Sequence, residues 1–184
     1  ALALRLFRLG DESLWVDEGN SLRDAAGLTA NARYRPLYYL VLAAWQHTGN
    51  GDAWLRVPSA LFGAGAVVLL YVAARRLAGT RIALVAGLLM ALGIPELDHS
   101  REVRMYAMGS FFGLAAVVAL LRWLDSRRAG WVALHTVLVV AAALTTAGTL
   151  LLLVPAVAAT AWACRRDRRA LISLLAGWAV VVAV

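Results

Sequence analysis

The chain has 184 residues, 62% of them apolar and 16% charged, with a formal net charge of +7. Soluble domains run about 45–50% apolar and about 25% charged, so the composition argues against an ordinary water-soluble domain and for lipid as the solvent. All eighteen basic residues are arginines grouped between apolar runs, a pattern that reports membrane orientation rather than a nucleic-acid partner.

Residues 1–9 read as the end of a truncated first span, because the chain opens in an apolar run without a methionine; it also ends in one, and reads as a piece open at both ends. Residues 10–54 read as a long first outer loop. Within it, Asp17 is placed as the N-cap of a short helix running to about Ala26 and closed by Gly27. A capping box is not expected, because Asn20 falls at the third helical position. Residues 36–47, opening on Pro36, form a second helix. It is too short to span and is expected to lie in the membrane interface.

Residues 57–74 and 106–121 are long enough to cross a bilayer, and 82–95 becomes so if Arg81 snorkels. Residues 131–163 carry no formal charge. As one helix they would be roughly 50 Å long, against a hydrocarbon core of about 30 Å. They read as two spans with a turn at Thr145-Thr146-Ala147-Gly148-Thr149. A last span begins near Leu171. The expected fold is all-α: a polytopic transmembrane helical bundle of about seven spans, with one or two interfacial helices in the first outer loop, forming a single transmembrane domain over 1–184.

The loops set the orientation. Arg75, Arg76 and Arg81 flank one connection, Arg122, Arg127 and Arg128 another, and Arg165, Arg166, Arg168 and Arg169 a third. Short basic connections face the cytoplasm. Nine of the eleven acidic residues then fall on the other side. Trp15, Trp45, Trp54, Trp123, Trp131 and Trp162 sit at span boundaries, as an aromatic belt requires; Trp178 does not. Gly63-Ala64-Gly65 and Gly109-x-x-x-Gly113 lie inside spans and read as close-packing features rather than nucleotide fingerprints. The single cysteine, Cys164, allows no intrachain disulfide, and His47 and His135 have no evident partner.

Two polar constellations remain, both on the outer side. One is Leu14-Trp15-Val16-Asp17-Glu18-Gly19-Asn20-Ser21. The other runs from Glu96 to Tyr106, with five charged residues between Glu96 and Arg104. Charges beside a membrane tend to pair or to line a polar cavity.

The order Leu-Trp-x-Asp-Glu-x-x-Ser at 14–21, Arg-Pro-Leu-Tyr-Tyr at 35–39, Leu-Arg-x-Pro-Ser-Ala-Leu-Phe-Gly at 55–63 and Ser-x-Glu-x-Arg-Met-Tyr-Ala at 100–107 resembles the C-type (GT-C) glycosyltransferases. More narrowly, it resembles bacterial relatives of dolichyl-phosphate-mannose protein mannosyltransferases and of the aminoarabinose transferases. Where many relatives carry a Thr-His-Tyr-Tyr-like run, this chain has Thr145-Thr146-Ala147-Gly148-Thr149. The resemblance implies an inverting transfer of a sugar from a polyprenyl-phosphate donor to a protein, lipid or glycan acceptor. It places the protein in the bacterial plasma (inner) membrane, among membrane lipids, with its site on the non-cytoplasmic face. It also implies that Asp17 is the catalytic base, with Glu18 beside it.

That chemistry has its own logic. Inversion needs one carboxylate to take the acceptor proton, and a helix N-terminus favours negative charge there. The leaving lipid phosphate gains charge, which Arg104 first and Arg101 second are placed to stabilise. Glu102 is free to orient an arginine or to help hold a metal. A divalent metal is not required by the sequence; Asp98 and His99 are its weak candidates. Tyr38 and Tyr39 read as interface anchors or as a wall of the substrate site. The plainer readings stand beside these: Asp17 as a cap only, Arg101, Glu102 and Arg104 as interfacial ion pairs, and the whole chain as a transporter or flippase-like protein or a non-catalytic membrane scaffold.

Overall fold

The computed structural model describes residues 1–27, 29–165, 172 and 174–179. Among these the fold is all-α. The helices are α1 (Leu2–Leu6), α2 (Val16–Gly27), α3 (Ala30–Tyr34), α4 (Pro36–Gln46), α5 (Asp52–Leu92), α6 (Ile94–His99), α7 (Tyr106–Ser126), α8 (Ala129–Thr145) and α9 (Thr149–Ala163). Residues 174–179 are also helical. Among the described residues two helices, α5 and α7, are long and apolar enough to cross a membrane. The expected arginines Arg166, Arg168 and Arg169, and the start of a last span at Leu171, lie outside the described residues.

α5 is not one rod. Gly79 has φ 85° and ψ 171°, a conformation that costs little only without a Cβ. A Cβ on Gly87 would stand 3.8 Å from that of Tyr71, whereas in a straight helix the two residues would be about 24 Å apart. The chain therefore doubles back at Gly79, and the two arms match the separate segments 57–74 and 82–95 expected from hydropathy. The second arm leaves Ile82, Val85, Leu88, Leu89 and Leu92 exposed, an apolar face that water would penalise and lipid would not.

Pro58 lies near the start of α5 and has no N–H for the carbonyl of Trp54. The Trp45 indole donates to that carbonyl at 2.9 Å, the Trp54 indole donates to Thr48 at 2.9 Å, and the two rings stack at 4.7 Å. These contacts clamp the end of α4 to the start of α5. Tyr38, Tyr39 and Leu42 of α4 are buried with Leu55, Val103, Met105 and Met108. The α4 tyrosines are thus core residues, not interface anchors: burial of this apolar set holds α2 and α4 onto one end of the bundle.

Small residues set the spacing of the long helices. A Cβ on Gly65 would come within 2.8 Å of Phe111, one on Gly109 within 2.7 Å of Thr146, and one on Gly113 within 2.7 Å of Thr149. The expected turn between α8 and α9 is present, and it packs its threonines onto the Gly109–Gly113 face. His135 bonds through Nδ1 to the Ala116 carbonyl at 2.9 Å, and the Trp178 indole donates to its Nε2 at 3.3 Å. Trp178 thus serves an interior polar link, which is why it breaks the boundary pattern.

The helix ends sort by charge. Arg76 pairs with Asp125 through a two-pronged contact, and Arg127 donates to Cys164 Sγ at 3.0 Å. The arginine-bearing connections 75–81 and 122–128, and Arg165, therefore share one end. The acidic segments share the other. Gly63 faces that acidic end, where a Cβ would collide with the Ser100 side chain and come within 2.9 Å of Arg5 Nε. Gly63→Val should destabilise the fold by about 1–3 kcal/mol, read as a lower Tm in detergent, with Leu61→Val, at an exposed position of the same helix, close to wild type.

Candidate functional site

The acidic end is organised by Glu18. α2 begins at Val16, two residues earlier than an Asp17 cap would require. Asp17 therefore sits inside the first turn, and Glu18 takes the third helical position. Glu18 Oε2 accepts from the Trp15 N–H at 3.2 Å, which is the return bond of a capping box. The box the sequence reading excluded at Asn20 is half formed two residues earlier, because the helix starts sooner than the best capping side chain.

Glu18 is 0% exposed. Arg56 donates to it twice, Nε to Oε1 at 2.9 Å and Nη2 to Oε2 at 2.7 Å, and the Val103 N–H adds a bond to Oε1 at 2.8 Å. With the Trp15 N–H, both carboxylate oxygens are saturated. Arg56 spends its remaining donors on the carbonyls of Leu9 at 3.0 Å, Glu12 at 2.8 Å and Ser13 at 3.3 Å. One buried pair thus fixes the 9–13 segment, α2, α5 and the 100–105 segment. Burial alone would push the Glu18 carboxyl up; the Arg56 fork and the two backbone donors outweigh it and hold the carboxyl below the usual range.

Asp17 faces the other way. Its side chain is 44% exposed, and its Oδ2 lies 3.6 Å from Arg104 Nη2. Arg104 also donates to the Asp17 carbonyl and to Ser21 Oγ, each at 3.4 Å, and its guanidinium lies 5.7 Å from the centroid of the Tyr106 ring. Tyr38 stands behind this group, buried.

A polar cleft of about 480 Å³ opens beside the Glu18–Arg56 pair. Trp15, Asp98, Arg101 and Glu102 line its walls, and Glu18 and Arg56 its floor. Arg101 donates to the Arg8 carbonyl at 3.2 Å. Glu102 lies 3.8 Å from His99 Nδ1; burial raises its carboxyl, His99 opposes that, and Glu18 adds to it. Among the described residues no group of three or more His, Cys, Asp or Glu side chains is placed to hold a metal ion, and Asp98 and His99 gain no third ligand.

The structure thus brings Asp17, Glu18 and Arg104 together, sets Arg101, Glu102 and Asp98 around a cleft that Glu18 also lines, and buries Tyr38 and Tyr39. Sequence reasoning missed two residues. Arg56 lay in plain view within Leu55-Arg56-Val57-Pro58, an arginine at the mouth of an apolar helix with nothing local to pair with. Arg5 is 0% exposed, with Nε and Nη2 unpartnered among the described residues, against Ser100 and Gly63. An arginine flanked by leucines in the short apolar stretch 1–9 was its only signal.

Glu18→Gln should cost about 3–5 kcal/mol, because it leaves Arg56 buried and unpaired. The depressed folded value sets the sign of the pH effect. The Glu18 contribution is complete above the ordinary glutamate range and is lost as pH falls through the folded value. Wild-type Tm should therefore drop below about pH 4, while Glu18→Gln, already destabilised, loses less over the same range.

A family model described as dolichyl-phosphate-mannose-protein mannosyltransferase matches residues 35–184. No curated protein and no solved structure matches the chain. The matched segment begins after Asp17 and Glu18 and takes in Arg56, the arms of α5, and the stretch from Glu96 to Arg104. A match over that much of the chain shows its kinship: the protein belongs to the dolichyl-phosphate-mannose-protein mannosyltransferase family.

Proposed function

We propose that the protein is an inverting glycosyltransferase that moves a sugar from a polyprenyl-phosphate donor to an acceptor hydroxyl on the non-cytoplasmic face of a bacterial inner membrane. The observation that carries this reading is the split of the Asp17-Glu18 pair. Glu18 is saturated and enclosed, while its neighbour Asp17 is half exposed beside the Arg104 guanidinium. One carboxylate holds the site together, and the other is open to take a proton.

In the proposed reaction the acceptor oxygen attacks the anomeric carbon and Asp17 takes its proton. The bond from that carbon to the donor phosphate oxygen breaks, and its electron pair leaves with the polyprenyl phosphate. The phosphate gains one negative charge, which Arg104 first and Arg101 second stabilise through charge-assisted hydrogen bonds. Glu18 is a positioning residue that acts through Arg56 and Val103. The cleft lined by Trp15, Asp98 and Glu102 offers an aromatic face and hydrogen-bond acceptors of the kind a hexose or pentose uses. The acceptor is a hydroxyl of a protein, lipid or glycan.

Support for the orientation comes from the gathering of the basic connections at the end opposite Asp17. In this reading the two arms of α5, α7, α8 and α9 cross the bilayer, the 75–81 and 122–128 connections face the cytoplasm, and α4 lies along the outer interface.

The test is sugar transfer from a panel of radiolabelled polyprenyl-phosphate sugars, in membranes carrying the full-length protein. Asp17→Asn should lower the rate about 10²–10⁴-fold at equal protein level, the usual contribution of a positioned general base. Arg104→Gln should lower it about 10²–10³-fold. Transfer by Asp17→Asn at the wild-type rate would remove Asp17 from the mechanism.

A further inference from the structure

The basic end of the bundle carries a cavity that the transfer chemistry does not use. It measures about 400 Å³, lies between the first arm of α5 and the C-terminal part of α7, and is lined by Tyr71, Arg75, Arg76, Leu121, Arg122 and Asp125 among others. Arg76 is committed to Asp125. Other arginines at this end are also engaged: Arg127 with Cys164 and the Trp123 ring, Arg165 with the Trp162 ring. Among the described residues the side chains of Arg75 and Arg122 make no hydrogen bond and no ion pair within 4 Å. Three arginines against one aspartate leave the lining with two net positive charges.

We propose that this cavity binds the phosphate head of an anionic phospholipid, with Arg75 and Arg122 donating to the phosphate oxygens. Two features favour a lipid over a free anion. Leu121 and its neighbours give the cavity an apolar wall beside the polar one, suited to the first methylenes of an acyl chain. On the same arm of α5, one turn before the lining residue Val72, Val68 is exposed, so the cavity stands next to a surface that lipid would cover. The surplus positive charge selects against zwitterionic heads, whose ammonium would meet the arginines. The Tyr71 hydroxyl supplies a neutral donor at the cavity edge. This inference rests on the reading of α5 and α7 as membrane spans, and not on the transfer reaction at the other end.

The experiment is native mass spectrometry of the full-length protein in detergent, titrated separately with phosphatidylglycerol, phosphatidylcholine and inorganic phosphate. Wild type should retain phosphatidylglycerol in preference to phosphatidylcholine. Arg75→Gln/Arg122→Gln should bind phosphatidylglycerol about 10- to 30-fold more weakly, since each arginine near an anionic lipid contributes on the order of 1 kcal/mol. Arg75→Lys/Arg122→Lys should bind between the two. Arg81→Gln, which removes a charge from the same end without touching the cavity, should match wild type. Equal weakening by Arg81→Gln would overturn the proposal in favour of diffuse charge attraction. Unchanged binding in the double glutamine variant would overturn the site, and competition by inorganic phosphate as strong as that by the lipid would overturn the lipid as occupant. Because the readout is lipid retention, its failure leaves the transfer proposal untouched, and an inactive enzyme leaves this one untouched.

Discussion

The buried ion pair between Glu18 and Arg56 constrains everything at the acidic end of the molecule. Taking a carboxylate and a guanidinium out of water costs several kcal/mol each, and mutual attraction offsets that only where the remaining donors and acceptors are filled. Here they are filled by backbone: two N–H groups on the carboxylate and three carbonyls on the guanidinium. The pair therefore works as a spatial constraint on four chain segments at once. It also sets the direction of Asp17. Successive residues on a helix are about 100° apart, so once Glu18 turns inward Asp17 is carried to the rim, beside Arg104.

A second constraint is steric. The 100–105 segment carries both the Val103 N–H that binds Glu18 and the Arg104 that meets Asp17. It reaches that position because Gly63 leaves room for Ser100, whose hydroxyl turns back to the Glu96 carbonyl. Arg5 fills the same contact from the other side. The site is thus bounded by a glycine on a long apolar helix, chosen by absence of volume rather than by chemistry, and its two arginines are held by neighbours contributed from separate parts of the chain.

The parts of this arrangement legible in the sequence are those set by one-dimensional patterns. Apolar run lengths separate the two arms of α5 and split 131–163 at the threonine turn, and Pro36 marks the start of α4. Spacing also exposes Gly109 and Gly113 as a packing face. What eluded the sequence depends on register or on distant partners. The start of α2 is two residues off because a cap search favours the best capping side chain, Asp17, over a helix that begins after Trp15 and whose first turn is closed by Glu18. Asp17 and Glu18 look equivalent as neighbours and differ only once Arg56, 38 residues away, is known to meet one of them. Tyr38 and Tyr39 resemble interface anchors by position, yet Val103 and Met108 from a later segment bury them. His135 and Trp178 are each unexplained alone and explain one another when paired.

The reversal at Gly79 ties the two ends together. Because α5 doubles back, its beginning, with Arg56, and its end, leading into Glu96 and Asp98, arrive at the same place, while Arg75, Arg76 and Arg81 are left at the other. Without that turn Arg56 and the 96–104 segment would sit at opposite ends of a rod about 60 Å long, and Glu18 could not bind both Arg56 and Val103. The positive φ of one glycine among the arginines is therefore a condition for the carboxylate–arginine geometry at the far end. The charge asymmetry of the chain and the assembly of its polar site follow from the same fold-back.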